Sequence, residues 1–345
     1  MLILMKSGST IEECSNVEAL VRRQGFEPLP VPGENRIAIC VTGNTGPVDP
    51  GPFSDLPGVL DCIAVTKPYK LVSREVHPED TVVRVGNVAI GGRHEPALIA
   101  GPCSVETEAR TLAIAQAAQR AGARMFRAGA FKPRSSPYAF QGLGNEALVT
   151  LARVREETGL PIVSEVLDAE AVSRMEEVVD LLQVGTRNMQ NFALLRRLAK
   201  STRPVLLKRG LSASFEEWMM AAEYLLMGGN PNVILCERGV RTFVRHSRNT
   251  LDLNVVPLVR ERSHLPVIVD PSHGCGARDR VRAMARAALA AGAHGLLIEA
   301  HTDPASSYTD AAQTIDIRTL SGVTEDAQIL GRLERLEPVE SATVR

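Results

Sequence analysis

The sequence has few cysteines, no long apolar run and no excess of either charge. Its six cysteines are spread over 345 residues and form no CxxC pair, which excludes a disulfide framework and a zinc finger and is typical of a reduced, cytoplasmic protein. No apolar run approaches the ~18–20 residues that span a bilayer. Lys and Arg number 39 against 40 Asp and Glu, so the broadly basic surface of a nucleic-acid-binding protein is lacking. We therefore expect neither a membrane nor nucleic acid as a partner.

The length predicts a large domain preceded by a small one, because domains usually hold roughly 100–200 residues. Residues 1–70 contain four strand-like runs and two helix-like stretches in the order β-α-β-β-α-β. This order is that of a ferredoxin-like α+β domain. Such a domain is often a sensor or docking module, although a purely structural appendage is an equal alternative. Residues 71–95 then predict a polar linker and a β-hairpin around Gly86-Asn87.

From residue 96 to 345 the pattern changes to eight short apolar runs separated by amphipathic stretches. The runs are 97–104, 123–130, 161–166, 181–186, 204–210, 232–239, 266–273 and 295–301. Continuously apolar strands that alternate with helices indicate a parallel sheet covered on both faces. Eight repeats favour a (β/α)8 TIM barrel over an open doubly wound sheet, and no GxGxxG follows a strand.

Polar or ionisable side chains occupy the C-terminal ends of all eight predicted strands, where the active site of such a barrel lies. They are Cys103, Arg127, Glu165, Arg187, Lys208, Arg238, His273 and Glu299. Isolated surface charges would explain one or two of these positions but explain all eight poorly. We therefore predict a functional site at this end of the barrel.

Six cations gather near these strand ends in a chain whose net charge is -1. They are Arg127, Lys132, Arg134, Arg187, Lys208 and Arg238. Burying several cations around one opening is costly unless an anionic ligand offsets them. Arg suits such ligands because its planar fork holds two oxygens at once. The sequence thus predicts substrates with several negative charges, such as phosphates and a carboxylate.

A second group combines one thiol, one imidazole and two carboxylates. Its members are Cys103, His273, Glu299 and Asp310. The first and eighth strands of a closed barrel are neighbours, so these residues can converge. The set suits a divalent transition ion such as Mn, Fe, Co or Zn. By pattern alone Asp303 and His301 are alternatives to Asp310, and Cys103 on its own is more often a buried small residue. Cys275, two residues beyond His273, is an alternative ligand or a bystander thiol.

Long strings in these regions resemble one enzyme family. They are KPYKLVSREVHPEDTVV, AGPCSVE, FKPRSSPYAFQGLG, RNMQN, VLLKRG, GNPNVILCERG and LPVIVDPSH. With them the chain resembles, over nearly its whole length, the 3-deoxy-D-arabino-heptulosonate 7-phosphate (DAHP) synthases of the type I beta branch, which carry an N-terminal ferredoxin-like domain. The resemblance implies a metal-dependent condensation of phosphoenolpyruvate (PEP) with erythrose 4-phosphate, the first step of the shikimate pathway.

The resemblance also implies a role for each site residue. Metal ligands of the family fall on Cys103, His273, Glu299 and Asp310, and the PEP cradle falls on Arg127, Lys132, Arg187, Lys208 and Arg238. The loop of Lys132, Pro133, Arg134 and Ser135 would meet the phosphate and hydroxyls of the aldose. Lys132 would assist proton transfer, and Glu165 would orient water or a cationic side chain. The first domain would bind an aromatic amino acid inhibitor, and the family predicts a homotetramer or homodimer.

Two alternatives remain at this stage. The chain departs from the family strings after Glu299, where it reads EAHTDP and YTDAAQTI, and in DPSHGCG after the seventh strand. With these departures, a paralogue that condenses PEP with a different phosphorylated aldose is one alternative. A non-catalytic sensor of aromatic amino acids would keep the barrel without turnover. Retention of all four ligands and all six cations argues against the sensor.

Overall fold

A computed structural model describes residues 1–32, 36–44, 47–63, 68–133, 136 and 138–336. The chain divides into two compact units, residues 1–79 and residues 80–345. In the described ranges, no helix is both long enough and apolar enough to cross a membrane.

The first unit is a four-stranded antiparallel sheet with two helices. Its elements are β1 (Leu2–Met5), α1 (Ile11–Arg23), β2 (Glu27–Pro32), β3 (Ile37–Thr42), α2 (Gly51–Ser54) and β4 (Val59–Ile63). The strand order β2-β3-β1-β4 is the ferredoxin-like one, so the predicted fold of this domain is confirmed. Helix α1 begins in a capping box, in which the Thr10 hydroxyl accepts from the Glu13 N–H and the Glu13 carboxylate accepts from the Thr10 N–H.

The second unit contains the predicted eight-stranded parallel barrel. Its strands are β7 (Ala97–Gly101), β8 (Met125–Arg127), β9 (Ile162–Val166), β10 (Leu181–Val184), β11 (Val205–Lys208), β12 (Val233–Glu237), β13 (Val267–Val269) and β14 (Gly295–His301). Each strand pairs with the next in parallel, and β14 also pairs with β7, which closes the barrel. A short strand β15 (Ile315–Asp316) pairs in parallel with the C-terminal end of β14.

Helices surround this barrel. They are α3 (Glu108–Arg120), α4 (Asn145–Thr158), α5 (Val172–Val178), α6 (Phe192–Leu198), α7 (Phe215–Met227), α8 (Val255–Arg262), α10 (Arg278–Ala290) and α11 (Ile317–Leu336). A five-residue helix, α9 (Pro271–Cys275), follows β13 directly. The amphipathic stretches between the apolar runs are thus the covering helices, because their apolar faces pack on the strands.

A hairpin closes the N-terminal end of the barrel. It consists of β5 (Val83–Val85) and β6 (Val88–Ile90), which pair in antiparallel register around Gly86. The four apolar side chains of the hairpin share one buried cluster with residues from the first halves of the barrel strands, such as Ala97 and Met125. The opposite, C-terminal end therefore remains available for a site.

Candidate active site

The C-terminal end of the barrel encloses a polar cavity of about 430 Å³. Eight of the predicted site residues line it, and they are Arg127, Lys132, Glu165, Arg187, Lys208, Arg238, His273 and Asp310. Cys103 and Glu299 are buried and contact lining residues, as described below. Arg134 and Ser135 lie outside the described residues. The strand ends that the sequence singled out therefore face one common space.

Four potential metal ligands lie together at one side of this cavity. Cys103, His273, Glu299 and Asp310 each offer a ligand atom, and these atoms all lie within 4.8 Å of one another. The other candidates are placed elsewhere: His301 pairs with Glu106, 3.3 Å away, and neither Asp303 nor Cys275 belongs to the four-residue group. Of the alternatives open from the sequence, the geometry favours Asp310.

The imidazole ring of His273 is in the protonation state that can ligate a metal ion. Its Nδ1 lies 2.7 Å from a carboxylate oxygen of Asp270, which assigns the ring hydrogen to Nδ1. Burial lowers the pKa of His273, so the ring is neutral near pH 7 and Nε2 carries a lone pair. This nitrogen lies 3.3 Å from Oε1 of Glu299, which is also an acceptor. Two acceptors that face each other are stabilised by a metal ion that both can ligate.

The thiol of Cys103 completes the ligand set. It donates to Oδ2 of Asp310 at 2.9 Å and accepts from Nζ of Lys132 at 2.9 Å. Burial, and then the charge of Glu299, raises the pKa of Cys103 to about 12. A metal ion would therefore have to displace the thiol proton, as thiolate ligation requires. Lys132 would then offset the negative charge on the sulfur.

The carboxylates of the group stay ionised. Burial by itself would raise the pKa of Glu299, but the charge of Arg127, which lies 3.0 Å from its Oε1, holds it below its usual value. Burial likewise opposes ionisation of Asp310, yet the hydrogen bond from Cys103 and the nearby cations bring its pKa to about 2. Both side chains are thus anionic at neutral pH, which favours a cation between them.

The cations of the cavity fall into two classes. Two of them are ion-paired: Arg127 with Glu299 at 3.0 Å, and Lys208 with Asp270 at 2.6 Å. Within the described part of the chain, Arg187 and Arg238 have no carboxylate partner, although Arg238 is only 6% exposed. Burial lowers the pKa of Arg238, whose one side-chain hydrogen bond there goes to the carbonyl of Gly239. An anionic ligand would supply the missing partner.

Glu165 enters the cavity next to a glycine. A Cβ at Gly185 would lie 1.8 Å from Oε1 of Glu165, so only glycine permits this position of the carboxylate. Gln183 donates to the other oxygen of Glu165 at 3.4 Å. Glu165 thus lines the cavity and has no cationic partner among the described residues.

Several residues in or beside the cavity were not identified from the sequence. Asp270 is fully buried and accepts from both Lys208 and His273, and only its place in the DPSH string hinted at it. Gln313 donates to Glu299 at 2.6 Å and accepts from Arg248 at 2.8 Å. The basic loop of residues 241–248 brings Arg241 and Arg248 to the cavity wall. Nothing in the spacing of these residues along the chain signals the contacts.

Comparison with known proteins agrees with the fold. The sequence profile of the DAHP synthetase I family matches residues 73–333, and that of the DAHP synthase ferredoxin-like domain matches residues 1–67. A phospho-2-dehydro-3-deoxyheptonate aldolase of Thermotoga maritima is 41% identical over 330 residues, which are 96% of this chain and 97% of that protein. A crystal structure of the DAHP synthase of Thermotoga maritima has a TM-score of 0.77 at 40% identity and covers 97% of this chain and 98% of its own.

A second kind of relative aligns with a smaller part of the chain. A 2-dehydro-3-deoxyphosphooctonate aldolase of Syntrophotalea carbinolica is 33% identical over 253 residues, which are 68% of this chain and 90% of that protein. The fold, the grouping of the ligands and the two profiles lead to one conclusion. The chain belongs to the DAHP synthetase I family and begins with a DAHP synthase ferredoxin-like domain.

Proposed function

We propose that this protein condenses PEP with erythrose 4-phosphate to give DAHP and inorganic phosphate. One observation carries the proposal: a group of four side chains that could hold a metal ion borders a cavity lined by cations, and among these the buried Arg238 and the exposed Arg187 have no carboxylate partner in the described part of the chain. The reaction needs both, because its two substrates are phosphate esters and one of them is an aldehyde. Membership of the family supports the same chemistry.

The choice of aldose rests on the extent of similarity. The Thermotoga heptonate aldolase matches 96% of this chain, including the ferredoxin-like domain, whereas the Syntrophotalea octonate aldolase matches 68%. Erythrose 4-phosphate is therefore the favoured aldose. Condensation with a different phosphorylated aldose is the second candidate, which the similarity to the octonate aldolases supports.

The metal would be held by Cys103, His273, Glu299 and Asp310. A mixed thiolate, imidazole and carboxylate set suits Mn, Fe, Co or Zn. When bound, a divalent ion supplies Lewis acidity toward the carbonyl oxygen of the aldose. The protein fixes the ligands around it: Asp270 sets the tautomer of His273, and Gln313 orients Glu299.

The cations position the two substrates for carbon–carbon bond formation. Arg187, Lys208 and Arg238 would bind the phosphate and carboxylate of PEP, which holds its C3 near the aldehyde carbon. C3 attacks that carbon, water adds to C2 of PEP, and the resulting hemiketal phosphate loses inorganic phosphate. Lys132, buried beside Cys103, would hold the proton that the new alkoxide takes up. Glu165 would orient the attacking water.

The test is phosphate release from PEP with a panel of phosphorylated aldoses, with and without a chelator. We expect turnover with erythrose 4-phosphate and a loss of turnover in the chelator that added Mn²⁺, Co²⁺ or Zn²⁺ reverses. Faster turnover with a five-carbon phosphate would favour the second candidate. If no aldose in the panel supports phosphate release from PEP, both candidate functions are contradicted.

Replacing Arg238 by Ala is expected to raise KM for PEP by at least about 30-fold, because a buried charge-assisted contact to the substrate is lost. KM for the aldose should change less than twofold. Steady-state kinetics at fixed ionic strength measure both constants. The exposed Arg245 of the neighbouring basic loop does not line the cavity, so Arg245→Ala is the matched control. An unchanged KM for PEP in Arg238→Ala would remove this residue from the PEP site.

Removing the first unit is expected to abolish inhibition by Tyr or Phe and to leave the barrel active. The first unit has its own buried core, and the structure of a truncated DAHP synthase of Thermotoga maritima covers 78% of this chain. The cut belongs after Glu79, where the unit ends, because Val76 packs on Leu2, Ala38 and Cys40. Inhibition curves for the full and truncated chains provide the measurement. A truncated enzyme that Tyr or Phe still inhibits would place the inhibitor site in the barrel.

A further inference from the structure

The proposed metal ligand Asp310 has a strained backbone. Its φ is 55°, and it is the only non-glycine residue in the described ranges with a positive φ. An L-residue adopts this left-handed conformation at a cost in free energy and keeps it only where its surroundings impose it. The segment 302–310 that carries Asp310 must therefore be held by contacts of its own.

A buried carboxylate next to the first strand supplies such contacts. Glu106 lies five residues after β7 and is 0% exposed. Its Oε1 accepts from the backbone N–H of Tyr308 at 3.0 Å. Its Oε2 lies 3.3 Å from Nε2 of His301 and 3.2 Å from Nε of Arg110. The N–H of Asp303 donates to Nδ1 of His301 at 2.8 Å, so the ring hydrogen is on Nε2 and points to Glu106.

Further contacts bind the same segment to the same region. Arg110 donates to the hydroxyl of Ser306 at 2.6 Å, and its guanidinium lies 5.5 Å from the ring centroid of Tyr308. The hydroxyls of Ser104 and Thr309, both buried, are 3.1 Å apart. Segment 302–310 is thus attached to the loop after β7 and to α3 by its second half, from Ser306 to Asp310, and its start is linked to Glu106 through His301. The loop after β7 also carries Cys103, the partner of Asp310.

We propose that Glu106 is a positioning residue of the metal site. It fixes the segment after β14 to the loop after β7, and so holds Asp310 in its left-handed conformation beside Cys103. His301, which is buried two residues after Glu299 but lies outside the ligand group, and Arg110 both act through Glu106. The inference depends on the metal site of the proposed function, but it concerns the affinity for the ion rather than turnover.

The test is the affinity for Co²⁺, measured by absorption spectroscopy on the metal-free full-length protein without substrates. Glu106→Gln has one acceptor oxygen where three donors converge, so its Kd for Co²⁺ should rise about 10- to 100-fold, and the ligand-field bands should shift. The same substitution in an Asp310→Asn background should change Kd less than twofold. An equal rise in both backgrounds, or no rise in either, would overturn the proposal.

A second, partly exposed variant provides the same test if Glu106→Gln does not fold. Arg110 has a side-chain exposure of 35%, and Arg110→Ala removes its contacts to Glu106 and Ser306. Its Kd for Co²⁺ should rise about 3- to 10-fold, whereas Arg120→Ala, at an exposed position of the same helix, should change it less than twofold. Equal affinities for the two arginine variants would count against the proposal. If the wild-type protein binds Co²⁺ but does not convert PEP and any aldose, the proposed function is wrong, whereas this inference is not contradicted.

Discussion

Replacing Cys103 by Ala is expected to lower kcat by about three orders of magnitude while the barrel stays folded. The thiol is one of four ligand atoms that lie within 4.8 Å of one another, and loss of the ion would remove several kcal/mol of charge stabilisation at the reacting carbonyl. The side chain is small, so its truncation should cost only about 1 kcal/mol of folding free energy. Phosphate release and thermal unfolding measure the two effects separately.

The matched control is Cys275→Ala. Cys275 is another buried thiol, two residues from His273, and lies outside the ligand group. Burial raises its pKa to about 11, and we expect activity within twofold of wild type when it is replaced. Full activity of Cys103→Ala would reject the metal site as assigned here. Loss of activity only in Cys275→Ala would move the sulfur ligand to that residue.

Replacing Asp270 by Asn is expected to lower both the free energy of unfolding and the affinity for the metal ion. Although burial would raise the pKa of Asp270, Lys208 and the hydrogen bonds from His273 hold it well below its usual range. The neutral amide leaves the ammonium of Lys208, only 5% exposed, without a counter-charge. Breaking a buried pair in this way costs about 3–5 kcal/mol. Asn keeps only one acceptor oxygen where Lys208 and the ring and backbone N–H groups of His273 converge, so metal binding should weaken about 10- to 100-fold.

A double variant separates the two consequences. In Asp270→Asn/Lys208→Met the uncompensated charge is gone, so part of the folding free energy should return, as measured by denaturant unfolding. Metal affinity should stay low, because His273 still lacks its carboxylate. Recovery of metal affinity in the double variant would show that Asp270 acts on the site only through Lys208.

The barrel could be predicted from the sequence because its signal is local. Each strand of a parallel sheet covered on both faces must be apolar along its whole length, and eight such runs separated by amphipathic stretches leave little choice of fold. The strand ends could be predicted for the same reason: Arg127 and Lys208 stand at the last residues of their strands. Short capping and turn signals, such as Thr10 with Glu13, likewise lie within a few residues of chain.

The tertiary structure decided which polar residues meet, because the contacts join loops that are far apart in the chain. The sequence left Asp310, Asp303 and His301 open, and only the folded loop brings Asp310 to Cys103 and His301 to Glu106. The link between Lys208 and His273 through Asp270 spans three neighbouring barrel strands, and no spacing rule reports it. Composition and periodicity thus determined the scaffold and the charge of the site, whereas ligand choice and the supporting hydrogen bonds depend on packing between distant loops.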